Sequence, residues 1–188
     1  MRLFVAVQPP PAAVAELAAA LAPLHKLPDA DRLRFTEQAG WHLTLAFLGD
    51  VDPSLLPELG TRLARAAHRH EPMELRLAGG GRFADRALWT GVTDGRRALG
   101  RLADSTAAAA RRTGIDADER PFKAHLTLAR SRSPVDLRPF RRALEGFEGS
   151  AWPADSIRLM SSTTAGVGQP PVYETVERWP LGKGADKG

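Results

Sequence analysis

Hydrophobic and polar positions divide the chain into short strands and longer amphipathic helices. Apolar residues in short, partly alternating runs predict strands at Arg2–Val7, Arg34–Thr36, Trp41–Leu48, Met73–Leu77, Ala87–Val92, Phe122–Leu128, Ser156–Met160 and Val172–Trp179. Leucines and alanines at helical spacing predict helices over Ala12–Leu24, 50–70, Arg96–Arg112 and Leu137–Leu144. Because several strands follow one another with no helix between them, the order favours an α+β fold over a doubly wound parallel sheet.

Glycine and proline mark the connections between these elements. Pro9 to Pro11 begin the first helix, since proline is tolerated in a first turn. The run GGGRF, Gly79 to Phe83, predicts a loop, and it lacks the Gly-Lys-Ser/Thr ending of a phosphate-binding P-loop. The glycine- and lysine-rich end, residues 183–188, predicts a disordered tail.

Composition narrows the class of protein. The 188 residues are 43% hydrophobic and 26% charged, which is typical of a globular protein with a real core. The chain has no cysteine, which excludes disulfides and thiolate metal sites and favours a reducing compartment, so we expect a cytoplasmic protein. No stretch approaches the roughly 20 apolar residues of a membrane span. The formal charge of +4 with a pI of about 10.1 points weakly to an anionic partner such as nucleotide or RNA.

One five-residue string, HLTLA, occurs twice, at residues 42–46 and 125–129. Side chains alternate between the two faces of a strand, so each copy has its histidine, threonine and alanine on one face and its leucines on the other. The residues expected to share a face are His42, Thr44 and Ala46, and His125, Thr127 and Ala129. A lone histidine is more often a packed or surface residue, but two copies in a chain with five histidines favour a shared function.

Two imidazoles and two hydroxyls that converge suit phosphoryl chemistry. One neutral imidazole can take a proton from water while a protonated one donates to the leaving oxygen. The ordinary pKa of histidine lets both forms coexist near neutrality. Threonine hydroxyls can donate to the non-bridging phosphate oxygens. Neither copy carries a carboxylate or a third histidine at ligand spacing, so we expect no metal and no cofactor.

The paired His-x-Thr motifs resemble those of the 2H phosphoesterase superfamily, and within it the RNA 2′,3′-cyclic phosphodiesterase family, historically named 2′-5′ RNA ligase. The likeness runs through RLFVAV, HLTLAFLG, RPFKAHLTLAR and VYETVERW, which together span almost the whole chain. It implies two pseudo-symmetric lobes, each an antiparallel sheet with outer helices, around a central active-site groove. We therefore expect one bilobal domain over residues 1–182, acting as a monomer.

The resemblance also implies a reaction and its residues. The reaction is the metal-independent hydrolysis of an RNA 2′,3′-cyclic phosphate end to a 2′-phosphomonoester, with 2′-5′ ligation as its reverse. His125 matches the base that activates water and His42 the acid, although the symmetry of the motifs leaves this allocation open. Thr44 and Thr127 match phosphate-binding residues. Arg130 stands where the family often carries arginine, although strict alternation turns it away from the face of Thr127.

Phenylalanines are candidates for stacking on a base of single-stranded RNA. We expect this role for Phe83, which lies beside the glycine run, and for Phe4. Phe47 falls on the leucine face of its predicted strand, so we expect it, like Phe122, to pack in the core.

Two other functions stay open at this point. The protein could act on another cyclic or 2′-5′-linked nucleotide, or it could be an RNA-binding module without turnover. The chain departs from the family at Ala124, where proline is frequent. It also departs over Ser161 to Glu177, which contains no lysine or arginine where relatives often carry basic residues, so the manner in which a longer RNA chain is held stays open.

Overall fold

The computed structural model describes residues 1–183 of the chain. Its strands are β1 (Arg2–Val7), β2 (Leu33–Phe35), β3 (Leu43–Asp50), β4 (Met73–Leu75), β5 (Leu77–Phe83), β6 (Ala87–Val92), β7 (His125–Ser131), β8 (Trp152–Ala154), β9 (Ser156–Thr164) and β10 (Pro171–Pro180). Its α-helices are α1 (Pro11–Leu21), α2 (Leu56–His68), α3 (Arg96–Arg112) and α4 (Arg138–Ala143). Of the predicted disordered tail, all but Lys183 lies outside the described residues.

The strands form two four-stranded antiparallel sheets, one in each lobe. The first sheet has the order β10-β9-β1-β3 and the second has the order β2-β7-β6-β5. A separate two-stranded sheet joins β4 to β8. The predicted α+β fold, with antiparallel sheets and outer helices, is confirmed.

The short strand β2 links the lobes. In the sequence, β2 lies between α1 and β3. It pairs with β7 in the second sheet, whereas β1 and β3, on either side of it in the sequence, belong to the first sheet. The amide of Thr36 extends this pairing by donating to the carbonyl of Leu128 at 2.8 Å. The two strands that carry the repeated string, β3 and β7, contact each other as a result.

The helices cover the outer faces of the sheets through one buried hydrophobic cluster that runs through both lobes. Helix α2 contributes Leu59 and Leu63, and α3 contributes Leu99 and Leu102, all four of them fully buried. The leucines of both motif strands lie in the same cluster. Burial of this apolar surface leaves the histidine side of each strand facing away from the helices. Within residues 1–183, no helix is both long enough and apolar enough to span a membrane.

Several element ends differ from the prediction. Helix α1 ends at Leu21 and not at Leu24, and a 3₁₀ turn follows over Ala22–Lys26. Pro23 explains the change, since its ring clashes with the carbonyl four residues before it and it has no amide hydrogen to donate. The strand predicted to start at Phe122 starts at His125, and the short strand β8 was not predicted.

The glycine run predicted as a loop is instead part of the strand β5. Its residues pair with β6, with a register shift between Ala78 and Gly81. A Cβ atom on Gly81 would collide with the ring of Trp89, its partner on β6. Glycine is therefore required here for a close approach of the indole to the backbone, and not for the freedom of a loop.

Candidate active site

A β-bulge interrupts each motif strand at the same point of the repeat. On β3, Val5 pairs with Ala46 and Ala6 pairs with Thr44, so Leu45 is the extra residue. On β7, Leu88 pairs with Ala129 and Trp89 pairs with Thr127, so Leu128 is the extra residue. Both extra residues are the second leucine of HLTLA. A bulge places two consecutive residues on one side of the strand, which breaks the alternation beyond it.

The bulges correct the expected faces of four residues. Ala46 and Ala129 do not share the face of their histidines, because each is buried in the core next to the extra leucine. Phe47, expected in the core, is instead 47% exposed, and its ring centre lies 6.4 Å from that of Phe4 on the histidine side. Arg130 returns to the side of His125 and Thr127 for the same reason, and it is exposed.

Each histidine is held by a hydrogen bond to its own chain. Nδ1 of His42 lies 2.7 Å from the carbonyl oxygen of Gly40, and Nδ1 of His125 lies 2.6 Å from that of Lys123. A carbonyl oxygen only accepts, so Nδ1 carries the proton and donates it in both rings. Nε2, on the other side of each ring, is therefore the nitrogen left to take or give a proton.

The site favours neutral imidazoles. Burial lowers the pKa of His42 to about 4, and the nearby charges of His125 and Arg130 act in the same direction, against the Gly40 hydrogen bond that raises it. Burial also lowers the pKa of His125, helped by Arg130 and Lys123 and opposed by the hydrogen bond to the Lys123 carbonyl. The strands β3 and β7 contact each other, and His125 and Arg130 both help to lower the pKa of His42, so the two motifs lie close together.

The two threonines complete each motif. Thr44 and Thr127 lie two residues after their histidines and before the bulges, and both side chains are half-buried. Within residues 1–183, the hydroxyl of neither threonine makes a hydrogen bond. Both hydroxyls are therefore free to donate to a ligand.

Aromatic side chains surround His42. The ring of Phe4 stacks on the imidazole at 4.7 Å between centres, and Tyr173 meets the same imidazole edge-on at 5.2 Å. Phe4 is only 3% exposed, which leaves almost no surface for a nucleobase and speaks against the stacking role expected for it. Its contact instead fixes the plane of the His42 ring.

A second aromatic group surrounds His125. Phe83 meets the imidazole edge-on at 4.9 Å between centres, and Trp89 lies at 6.0 Å. The ammonium of Lys123 sits 4.7 Å from the centre of the Trp89 ring. Phe83 is 39% exposed, unlike Phe4, so part of its surface remains available. A cavity of about 540 Å³, lined in part by Trp89, Lys123 and Arg141, opens beside this group.

The model of the 2′-5′ RNA ligase superfamily matches residues 9–166, a range that includes both histidine motifs. The chain belongs to this superfamily. The resemblance seen in the two His-x-Thr motifs is therefore confirmed.

Relatives of known name and structure agree with this membership of the 2′-5′ RNA ligase superfamily. A protein of Aquifex aeolicus named RNA 2′,3′-cyclic phosphodiesterase is 30% identical over 157 residues, which cover 79% of this chain and 82% of the relative. A Geobacillus stearothermophilus protein of the same name is 31% identical over 78% of this chain, but the chain spans only 47% of that relative. The crystal structure of Escherichia coli LigT complexed with 3′-AMP covers 97% of this chain and 98% of that one, at 28% identity and a TM-score of 0.79.

Sequence reasoning missed three residues of the site in this member of the 2′-5′ RNA ligase superfamily. Tyr173 contacts His42 from β10, and Trp89 contacts His125 from β6, the neighbour of β7. Lys123 covers Trp89. Tyr173 is the only tyrosine of the chain and lies in the VYETVERW block. Its rarity could have marked it as a candidate, but the sequence did not show that it contacts His42. Within residues 1–183, no three histidine or acidic side chains are grouped so that they could hold a metal ion.

Proposed function

We propose that the protein hydrolyses RNA 2′,3′-cyclic phosphate ends to 2′-phosphomonoesters, with His42 and His125 as an acid–base pair. The observation that carries the proposal is the matched pair of imidazoles, each tied through Nδ1 to its own backbone and each followed by an unpaired threonine hydroxyl. The names of the relatives support the substrate class.

The proton transfers of this reaction need one neutral and one protonated ring. Nε2 of the base takes a proton from water as the water oxygen bonds to phosphorus. Nε2–H of the acid gives its proton to the 3′ oxygen as the bond from phosphorus to that oxygen breaks. The product keeps its phosphate on the 2′ oxygen, and the next cycle begins when the protons are exchanged with solvent.

The charge of the phosphate is balanced from both motifs. Thr44 and Thr127 donate hydrogen bonds to its non-bridging oxygens, where negative charge builds up in the transition state. Arg130 adds a positive charge from the second lobe, and its guanidinium can bond two phosphate oxygens at once. None of these contacts requires a metal, and an assay in EDTA tests that point directly.

The histidine that acts as the acid must become protonated when the substrate binds. In the empty site the pKa of both imidazoles is lowered, so both are neutral near pH 7. An anionic phosphate beside a ring favours its charged form and raises its pKa. We propose His125 as the base and His42 as the acid, as the family resemblance implies. Because burial lowers the pKa of His42 to about 4, the phosphate must raise that pKa for His42 to carry its proton.

Phe83 is proposed as the platform for a base of the RNA end. Its exposed ring contacts both His125 and Trp89, and the adjacent cavity has room for a nucleoside. Lys123 covers the Trp89 face and would move aside or contact the base. Phe4 is assigned a different role, the support of the His42 ring.

The test is incubation with an RNA that ends in a 2′,3′-cyclic phosphate, in EDTA, followed by identification of the product. We expect a 2′-phosphate from the wild type, and a rate lower by about hundredfold to ten-thousandfold in His42→Ala and in His125→Ala. His68→Ala is the matched control, since His68 is exposed near the end of α2 and away from the motifs.

Other outcomes would point to a different function. RNA binding without turnover by the wild type would identify a binding module, and a 3′-phosphate product would refute the proposed direction of ring opening. The reverse reaction, 2′-5′ ligation, is assayed by supplying a second RNA with a free 5′-hydroxyl in place of water. The monomeric state and the cytoplasmic location stay predictions, the first of which sedimentation measures.

A further inference from the structure

Arg34 and Arg130 lie directly opposite each other on paired strands. β2 and β7 are antiparallel, and their register pairs Arg34 with Arg130. On β2, Leu33 is buried and Phe35 packs against the core, so Arg34, between them, lies on the opposite face. That face is the groove side, because Arg130 belongs to it. Like charges directly opposed across two strands are destabilising, so this pair calls for a physical reason.

Neither arginine of the pair has an acidic partner. Among residues 1–183, no carboxylate forms an ion pair with Arg34 or Arg130, and neither guanidinium makes a hydrogen bond. Some other arginines among the described residues do form ion pairs, as Arg138 lies 2.9 Å from Asp136 and Arg76 lies 2.9 Å from Asp94. What sets Arg34 and Arg130 apart is their direct opposition across two strands. The pair thus presents two adjacent cations whose donors are all free, which is an arrangement that an anion between them would stabilise.

The pair extends from β7, the strand of His125, to the edge of the second sheet. Arg130 lies on β7, the strand that carries His125, and it helps to lower the pKa of both imidazoles. Arg34 is one strand farther from His125, because β2 lies on the outer side of β7. An anion held between the arginines is therefore distinct from a phosphate held between the histidines.

We propose that Arg34 and Arg130 bind a second phosphate, the phosphodiester next to the reacting end of a polynucleotide. This inference rests on the proposed function and names the substrate class more closely: a chain and not a mononucleotide. Arg130 then contacts both phosphates, while Arg34 contacts the second one alone. Phosphate contacts of this kind fix the position of a nucleic acid without reading its sequence.

The preference of the enzyme for an oligoribonucleotide over a mononucleotide measures the contribution of Arg34 to substrate binding. The wild type, Arg34→Gln and Arg34→Lys are compared on a short oligoribonucleotide with a 2′,3′-cyclic end and on 2′,3′-cyclic AMP. The ratio is kcat/KM on the oligoribonucleotide divided by kcat/KM on 2′,3′-cyclic AMP. We expect Arg34→Gln to lower this ratio by about tenfold to hundredfold, and Arg34→Lys to lower it less. Arg111→Gln, an exposed position in the last turn of α3, should leave the ratio unchanged. An unchanged ratio in Arg34→Gln, whether activity falls on both substrates or on neither, overturns the proposal.

A binding measurement separates this proposal from the failure of the proposed function. Fluorescence anisotropy follows the binding of an oligoribonucleotide that already ends in a 2′-phosphate, at several salt concentrations. Loss of one phosphate contact should reduce the slope of log K against log salt by about 0.7 in Arg34→Gln. If the wild type hydrolyses neither substrate but the slope falls, the phosphate site stands and the reaction is wrong. A slope equal to that of the wild type overturns the site, and competition by inorganic phosphate as strong as by the oligomer would identify a site for free phosphate.

Discussion

Phe47 and Arg130 occupy equivalent positions in the two lobes, each five residues after its motif histidine and each beyond a bulge at the second leucine of the repeat. Both side chains return to the histidine side for the same geometric reason. The site is therefore symmetric in its imidazoles and hydroxyls, but its charge is not symmetric. The second lobe supplies a guanidinium where the first supplies an exposed aromatic ring.

Removal of the Arg130 charge should make both imidazoles easier to protonate. Arg130 lowers the pKa of His42 and of His125, so we expect both pKa values to rise in Arg130→Gln. An NMR titration of the imidazole C–H resonances measures them. Arg111→Gln serves as the control of equal charge change, and a pKa of His42 that stays in place would contradict the position assigned to Arg130.

Lowering the pH should destabilise the protein, because His42 is harder to protonate in the folded chain than in the unfolded one. Its pKa is about 6.5 in the unfolded chain and about 4 in the folded one, so between these pH values the unfolded chain binds the extra proton. The stabilisation is complete above pH 6.5 and is lost as the pH falls towards 4. From neutral pH down to about pH 4, we expect the wild type to lose up to about 3 kcal/mol more of its free energy of unfolding than His42→Gln does.

Urea unfolding at neutral and acidic pH measures this difference. The pKa of His125 is also lowered, so His125→Gln should reduce the acid sensitivity in the same direction. Equal losses in the wild type and both variants would mean that the imidazoles are solvated in the folded protein.

The threonine hydroxyls should matter for the rate and not for the fold. In Thr44→Val or Thr127→Val, the shape of the side chain is kept and one donor to the phosphate is lost. We expect kcat to fall by about hundredfold to thousandfold, as for other donors to a transition-state oxyanion. Serine at either position keeps the hydroxyl and should retain most of the activity. A kcat near that of the wild type in both valine variants would remove the threonines from the mechanism.

Gly81 should tolerate no side chain, because the Trp89 ring covers it. In Gly81→Ala the added Cβ collides with the indole, and we expect a loss of about 1–3 kcal/mol in the free energy of unfolding together with a shifted tryptophan fluorescence. Gly146→Ala is the matched control, since nothing lies within 4 Å of its added Cβ. Similar losses in both variants would show that the general cost of replacing a glycine, and not the indole, sets the loss.

Phe83 should contribute to substrate binding. Stacking of one base on an aromatic ring contributes about 1–3 kcal/mol, so Phe83→Ala should raise KM by about fivefold to a hundredfold. Val176→Ala, which removes another exposed apolar side chain, is the control. If kcat falls and KM stays constant, Phe83 positions His125 and does not bind a base.

Local patterns predicted much of the fold and of the site. The spacing of leucines and alanines gave α2 and α3 because a helix buries one face of its own sequence. The glycine run was misjudged, since the requirement for glycine at Gly81 comes from Trp89 on another strand. The helix end at Leu21 could have been predicted from Pro23 alone.

The repeated string by itself determined that two histidines and two threonines stand at matched positions in, or directly before, two strands, and together with the flanking blocks it indicated the family. Only the tertiary structure decided which residues join them. The bulges at Leu45 and Leu128 depend on how β3 and β7 pair with β1 and β6, and they moved Phe47 and Arg130 onto the histidine side. The pairing of β2 with β7 likewise brought Arg34 opposite Arg130. Alternation along a strand is a local property, whereas register and bulges are set by the neighbouring strand, which no local pattern contains.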